Sequence, residues 1–374
     1  MEAGNFPYNF PVVIRNKIND WKILSFSNED WCLEFKNTVL EFREGDNIYR
    51  QNPYWEESCN RKKLTLKQFF ELSSHASDRW MYFDYKYMKD LFPETSSVCE
   101  SINWADLGIT DFKGVDSALW IGNKGAHTPC HFDSYGYNLV AQIYGRKLWI
   151  LIAPEEIDVL NPTRVPYEES SVYSSLNFYT PNNELLKIKK AYKIVLSPGE
   201  VLYVPRHWWH YVENLEVAIS VNLWVPLEAD HESRLDESLV RQFISSISQT
   251  LPEEDVLKIL NPNEYDFLAG ANSLTIIQKC VENCQEFRKK HNARSNKSND
   301  TFKLCYNYYE PVPQCDLRSY VIEKSKNHHY DPSIIEKSLK SNHSLLFTQN
   351  LINAYCHPTN ITAVKERLLS QIER

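Results

Sequence analysis

The sequence predicts a mainly β core with helices: an α+β lead-in over residues 1–95, a strand-rich core over 96–228 and a helical region over 229–374. Two observations carry this. Short apolar segments punctuated by Gly and Pro fill residues 118–225, the pattern of a sandwich or barrel. Beyond Pro226 the apolar positions, such as Leu235, Leu239, Phe243 and Ile244, fall instead on one side of an amphipathic helix. Composition agrees: 22 Tyr and 10 Trp against 10 Gly suit pleated, half-buried strands better than a glycine-rich nucleotide fold.

Taken in order, residues 10–15 read as an early strand. Trp31, Leu33, Phe35, Val39 and Leu40 recur at helical spacing behind Ser27 and Asn28 as caps, which predicts a helix over 28–42. A second helix is expected over 65–73, with Leu66, Phe69, Phe70 and Leu72 as its buried stripe, and a strand starts at Trp80. Further strands are expected at 118–121, from His131 on through Tyr144, and at 147–153, 191–196, 201–204 and 218–225. Residues 161–183 read as a long irregular insertion of the sort that frames active sites. Helices are expected over 228–251, around 257–259, over 274–287 and twice within 334–372, with a polar, mobile linker near 289–301.

Several classes are disfavoured. A formal net charge of −8 argues against a global attraction to nucleic acid or to an anionic membrane. No apolar run approaches the length of a membrane span. Nine cysteines, an odd number without a repeated Cys-x-x-Cys, suggest reduced thiols and no disulfide framework. The first residues carry an acid and no apolar leader, so a cytoplasmic location is expected, with the nucleus as the alternative.

The chemistry concentrates in His131-Phe132-Asp133. In a strand, residues i and i+2 share a face, so His131 and Asp133 can address one atom. A second histidine would complete the two-His, one-carboxylate set that holds Fe(II) on one face and leaves the other open. His207 and His210 compete for that place; on an extended segment they point to opposite faces, and the residues alone do not choose between them. Lys147 heads an apolar strand. It reads either as a strand-end residue reaching water or as a cation for the carboxylate of a bound acid, with the Thr128 hydroxyl beside it. Asn138 belongs to the same set. Cys280 and Cys284 are read as packing residues, the Trp208-Trp209 pair as core, and the basic run from Lys187 to Lys193 as a solvated strand entrance before an RNA contact.

Together, residues 119–133, the Asn138-x3-Gln142-x2-Gly145-x-Lys147 spacing, the stretch from Ser197 to Pro205 and His207-Trp208-Trp209-His210 resemble the JmjC (cupin-like) 2-oxoglutarate oxygenases over most of residues 10–228. The resemblance implies a double-stranded β-helix (jelly-roll) core with His131, Asp133 and His210 as iron ligands. It implies Fe(II) as cofactor, and 2-oxoglutarate and O2 as cosubstrates. Lys147 and Thr128, helped by Tyr82, would hold the distal carboxylate of 2-oxoglutarate, with Asn138 and Asn222 beside it. The implied activity is that of a dioxygenase hydroxylating a protein side chain. Hydroxylation of a tRNA base, as in a related wybutosine hydroxylase, and histone demethylation are the enzymatic alternatives; aspartate in place of glutamate in the motif leans towards hydroxylation. Residues 125–131 and 205–211 are also similar to a branch of the family associated with small heat-shock proteins. That implies a small heat-shock protein as partner, and an adaptor in the stress response as the non-enzymatic alternative. Pairing of two copies through the C-terminal helices is a further expectation.

Overall fold

Alternating side chains along short strands build two antiparallel sheets in the computed structural model, which describes residues 9–75, 78–269, 273–294, 308–327 and 343–372. In chain order the strands are β1 (Val12–Ile14), β2 (Val39–Asp46), β3 (Asn60–Thr65), β4 (Arg79–Tyr87), β5 (Ala118–Gly122) and β6 (His127–Asp133). Then come β7 (Tyr137–Tyr144), β8 (Lys147–Ile152), β9 (Pro162–Glu168), β10 (Ser171–Ser174) and β11 (Ala191–Leu196). The set ends with β12 (Val201–Val204), β13 (Trp209–Asn214), β14 (Ala218–Val225), β15 (Tyr309–Pro311) and β16 (Gln314–Cys315). The larger sheet has the order β15-β1-β12-β7-β14-β5-β4-β2-β3, the smaller β16-β11-β8-β13-β6-β10-β9. Val140, Leu202 and Val204 of the first meet Trp149, Leu151 and Val212 of the second in one buried cluster, so the sheets face each other as a jelly-roll sandwich.

Helices α1 (Asn28–Phe35) and α2 (Leu66–Ser73) cover the outer face of the larger sheet, where Trp31, Phe35 and Phe69 pack on Phe42 and Phe83. Both start at capping boxes, Ser27 with Asp30 and Thr65 with Gln68. The helix expected over 28–42 therefore ends early. Lys36 turns out of it with φ +52°, and Val39, Leu40 and Phe42 become strand β2, a change from helical to two-residue period. Leu72, expected in the buried stripe of α2, is 44% exposed. Two one-turn helices, α3 (Met88–Leu91) and α4 (Ser97–Glu100), precede the core.

The insertion expected to be irregular over 161–183 holds β9 and β10. Pro162 and Pro166 make it look unlike a strand, but β9 is the last strand of its sheet, where a missing N–H costs no ladder bond.

The C-terminal region is helical, as expected: α5 (Asp230–Ser248), α6 (Glu253–Ile259), α7 (Ser273–Arg294), α8 (Leu317–Asn327), α9 (His343–Tyr355) and α10 (Pro358–Ile372). Of the linker expected near 289–301, residues 289–294 belong to α7 and residues 295–301 lie outside the described residues. Helix α5 is fastened to the core by a buried ion pair, Arg164–Glu237, and by the Gly136 N–H donating to Asp230 at 2.8 Å. Helix α8 packs Leu317, Tyr320 and Val321 over the outer face of the smaller sheet, and its Lys324 reaches Glu213 at 2.6 Å. The same region also sends β15 and β16 back to extend both sheets. Among the described residues, no helix is long and apolar enough to cross a membrane.

Gly145 closes the turn between β7 and β8 at φ +60°, and a methyl group there would run into the Val217 carbonyl oxygen. Gly145→Ala is expected to lower stability by about 2 kcal/mol, strain from a left-handed residue that nothing relieves; an unchanged denaturant midpoint would contradict this reading of the turn.

Candidate functional site

Strand β6 carries His131 and Asp133 on one face, and β13 brings His210 directly opposite His131 in the antiparallel register. One donor atom from each of the three lies within 4.8 Å of the others; no other such trio converges among the described residues. A register shift between His210 and Val212 adds one residue to β6, so that Thr128 pairs with Val212. This bulge reverses the parity of β6 and puts Thr128 on the same inner wall as His131.

Each imidazole is aimed by a backbone carbonyl. Nδ1–H of His131 donates to Pro129 O and that of His210 to Trp208 O, both at 2.9 Å, which turns both Nε2 atoms towards the shared centre; His131 Nε2 stands 3.6 Å from Asp133 Oδ1. Asp133 accepts from the Trp224 indole N–H at 2.9 Å through Oδ2. Burial works to raise the Asp133 carboxyl, but the bond to His131 and the two histidines' charge outweigh it and hold it at about 2. Burial, with His131 beside it, lowers His210 to about 4. For His131 burial is overcome by Asp133, and its pKa rises. Two neutral-capable nitrogens and one fixed carboxylate, converging in a buried place, fit a divalent metal of the iron or zinc kind.

Behind this set lies a small pocket lined by alternate residues of its strands: Asn138 and Val140 of β7, Lys147 and Trp149 of β8, and Ser220, Asn222 and Trp224 of β14. Lys147 is 1% exposed, so the reading in which it reaches water does not hold. Its ammonium donates to Ser220 Oγ at 2.7 Å and Tyr82 OH at 3.4 Å, both neutral, and burial pushes it down to about 7 against the pull of Asp84. The Thr128 hydroxyl bonds the Tyr82 phenol. Asn222 donates to Asn138 Oδ1 at 2.9 Å and accepts from the Trp120 indole at 2.7 Å, which fixes both amides. A buried cation with neutral partners fits a ligand that brings a carboxylate.

All eight sequence-derived candidates thus meet around one pocket. His207 does not join them. It sits before β13 at φ +64° with Nε2 near Ser134 O and Ser233 Oγ, 3.3 and 3.2 Å away, tying the core to α5. Trp209 is core against Phe132, and Cys280 and Cys284 pack with Leu235 and Leu369. In the basic run, Lys187 pairs with Glu184 and Lys190 with Glu155. Sequence reasoning missed Ser220 and Trp224, although both stand two residues from Asn222 and share its face by strand parity. It also missed buried Arg43, which pairs with Asp84 at 2.7 Å and donates to the His127 carbonyl, because nothing local marks that arginine as internal.

The cupin-like domain family matches residues 5–230. HSPB1-associated protein 1 of Homo sapiens is 37% identical over 287 residues, 72% of this chain and 59% of its own length. The Bos taurus protein of that name is 38% identical over 272 residues, 68% and 56% of the two chains. Lysine-specific demethylase 8 of Danio rerio is 27% identical over 221 residues, 57% and 52%. The chain therefore spans less than two thirds of the length of these relatives. A family match covering more than half of the 374 residues, on a framework of two facing antiparallel sheets, establishes that the chain belongs to the cupin-like JmjC domain family.

Proposed function

We propose that the chain is an Fe(II)- and 2-oxoglutarate-dependent dioxygenase that hydroxylates a protein side chain. The observation that carries this is the buried Lys147 ammonium, with neutral partners only, in the pocket behind a two-His, one-carboxylate set. His131, Asp133 and His210 would hold the iron; Lys147, Thr128 and Tyr82 would hold the distal carboxylate of 2-oxoglutarate, with Asn138 and Asn222 as the fixed polar wall. When bound, iron and 2-oxoglutarate supply the oxidising power for C–H hydroxylation with O2.

The chain's own residues orient and exclude. The two backbone carbonyls set the imidazole tautomers, and Trp224 clamps one oxygen of Asp133 so that the other is presented inward. Trp120, Trp149 and Trp224 close the pocket with apolar rings, which strengthens the attraction of Lys147 for an acid by keeping water out. Of the four lysines in the basic run, Lys187 and Lys190 pair with acids, which weakens the case for RNA and favours a protein substrate. The name of the human and bovine relatives supports a second reading, association with a small heat-shock protein. These two readings separate in one variant: an adaptor keeps its partner when Asp133 is lost.

Asp133→Ala is expected to abolish iron-dependent succinate formation from 2-oxoglutarate, and unchanged succinate would sink the assignment. Lys147→Met, which keeps the packing, should raise the KM for 2-oxoglutarate by about 10- to 100-fold, the loss of one charge-assisted bond. Anaerobic Fe(II) binding should weaken on acidification. At neutral pH, Asp133 (about 2) and His210 (about 4) have already lost their protons, so His131, with its raised pKa, is the group that competes with metal. Below that pKa the affinity should fall by about tenfold per pH unit, and equilibrium dialysis giving a flat profile between pH 7.5 and about pH 5 would refute it.

A further inference from the structure

A cleft of about 230 Å³ opens in front of the donor set, and His131 and Asp133 form its floor. Four carboxylates line it. Three are accounted for: Asp133 belongs to the donor set, Asp84 pairs with Arg43 at 2.7 Å, and Glu56 pairs with Arg61 at 2.6 Å. Glu168, at the end of β9, is different. Its oxygens accept from the Tyr173 hydroxyl, from Asn261 Nδ2 at 2.8 Å and from Asn263 Nδ2 at 3.3 Å, all neutral donors. Among the described residues no lysine or arginine pairs with it. Burial, with Glu56 nearby, raises its carboxyl above the usual range and outweighs the hydrogen bonds from Tyr173 and Asn263 and the charge of His131.

Aromatic rings stand around this carboxylate. Trp55 and Tyr173 meet edge-on with centroids 5.5 Å apart, and Tyr85, held at φ +56°, lies 5.5 Å from Trp224. A fixed carboxylate among ring faces attracts an organic cation twice over, by ion pairing and by the ring quadrupoles. It repels a polyanion. The two amides that hold Glu168 come from the segment after α6, outside the cupin-like match over 5–230. That segment is pinned to β9 by the Tyr167–Leu260 bridge and by the Asn261 N–H donating to Tyr167 O at 2.8 Å. The C-terminal region thus builds one wall of the cleft.

We propose that Glu168, positioned by Asn261 and Asn263, is a specificity-determining residue that recognises a lysine or arginine side chain of the polypeptide entering the cleft. This rests on the reading of the cleft as the substrate entrance of the proposed oxygenase. The test uses the full chain without added iron or 2-oxoglutarate. The probes are labelled glycine–serine dodecapeptides, identical but for a central Lys, Arg, Gln or norleucine, and binding is read by fluorescence anisotropy. The Lys or Arg peptide should bind at least about tenfold more tightly than the Gln and norleucine peptides, as a charge-assisted contact requires. The isosteric Glu168→Gln should bring all four to similar affinities without changing the melting temperature. Equal binding of the four by the unaltered chain, no saturable binding at millimolar peptide, or a preference that survives in Glu168→Gln would each overturn the proposal. The comparison among peptides on the unaltered chain needs no variant to fold. Succinate formation, measured separately, keeps the two claims apart: a cation preference without succinate removes the oxygenase and leaves the cation site, and succinate without a preference does the reverse.

Discussion

The antiparallel ladder between β6 and β13 is the constraint from which the rest follows. It sets His131 opposite His210, and because side chains alternate with a period of two, a slip by one residue would bring Trp209 or Tyr211 to the site instead. The same β13 pairs on its other side with β8, which sets Asn214 opposite Lys147. Metal-capable set and buried ammonium are thus placed by one strand. The bulge in β6 adds the third element by turning Thr128 inward. The second sheet then closes the pocket with Ser220, Asn222 and Trp224 from a single strand face.

The three charged groups that matter differ in how they are compensated. Asp133 has two imidazoles and an indole around it and stays ionised without difficulty. Lys147 and Glu168 have hydrogen bonds to neutral groups and, among the described residues, no ion pair. Taking an ion out of water without a counter-ion is costly, so a fold that keeps such groups gains by binding something that carries the missing charge. The two groups are of opposite sign and on opposite sides of the donor set, one deep in the pocket and one in the outer cleft. An acid inside and a cation outside would each find a charge waiting.

Much of this was legible in the residues, and the reasons are physical. Core strands such as β8 and β14 announce themselves because both of their faces are buried, which makes long apolar runs interrupted only by the residues that line the pocket. His131, Asp133 and Lys147 stand out because they are polar where the pattern demands apolar. Strand β2 is hidden because its apolar residues continue, nearly in phase, the helical spacing of α1. Strand β9 is hidden by prolines that an edge position tolerates, and β10 by its length of only four residues. Glu168 could not have been singled out, since an acid among Tyr167, Glu169 and Ser170 looks like any solvated turn until the Asn261–Asn263 segment folds over it.

The two short strands β15 and β16 bear on how the chain can be dissected. They lie on β1 and β11, the strands that would otherwise be the open edges of the two sheets. A truncation at the end of the cupin-like match, near residue 230, would uncover both edges at once and leave them free to pair with other chains, the usual start of aggregation. It would also remove Glu237 from the buried Arg164, stranding a guanidinium where an unpaired charge costs about 3–5 kcal/mol. The boundary drawn by family likeness is therefore no boundary of folding: the segment that returns from beyond residue 300 is the selvedge that keeps both sheets from fraying.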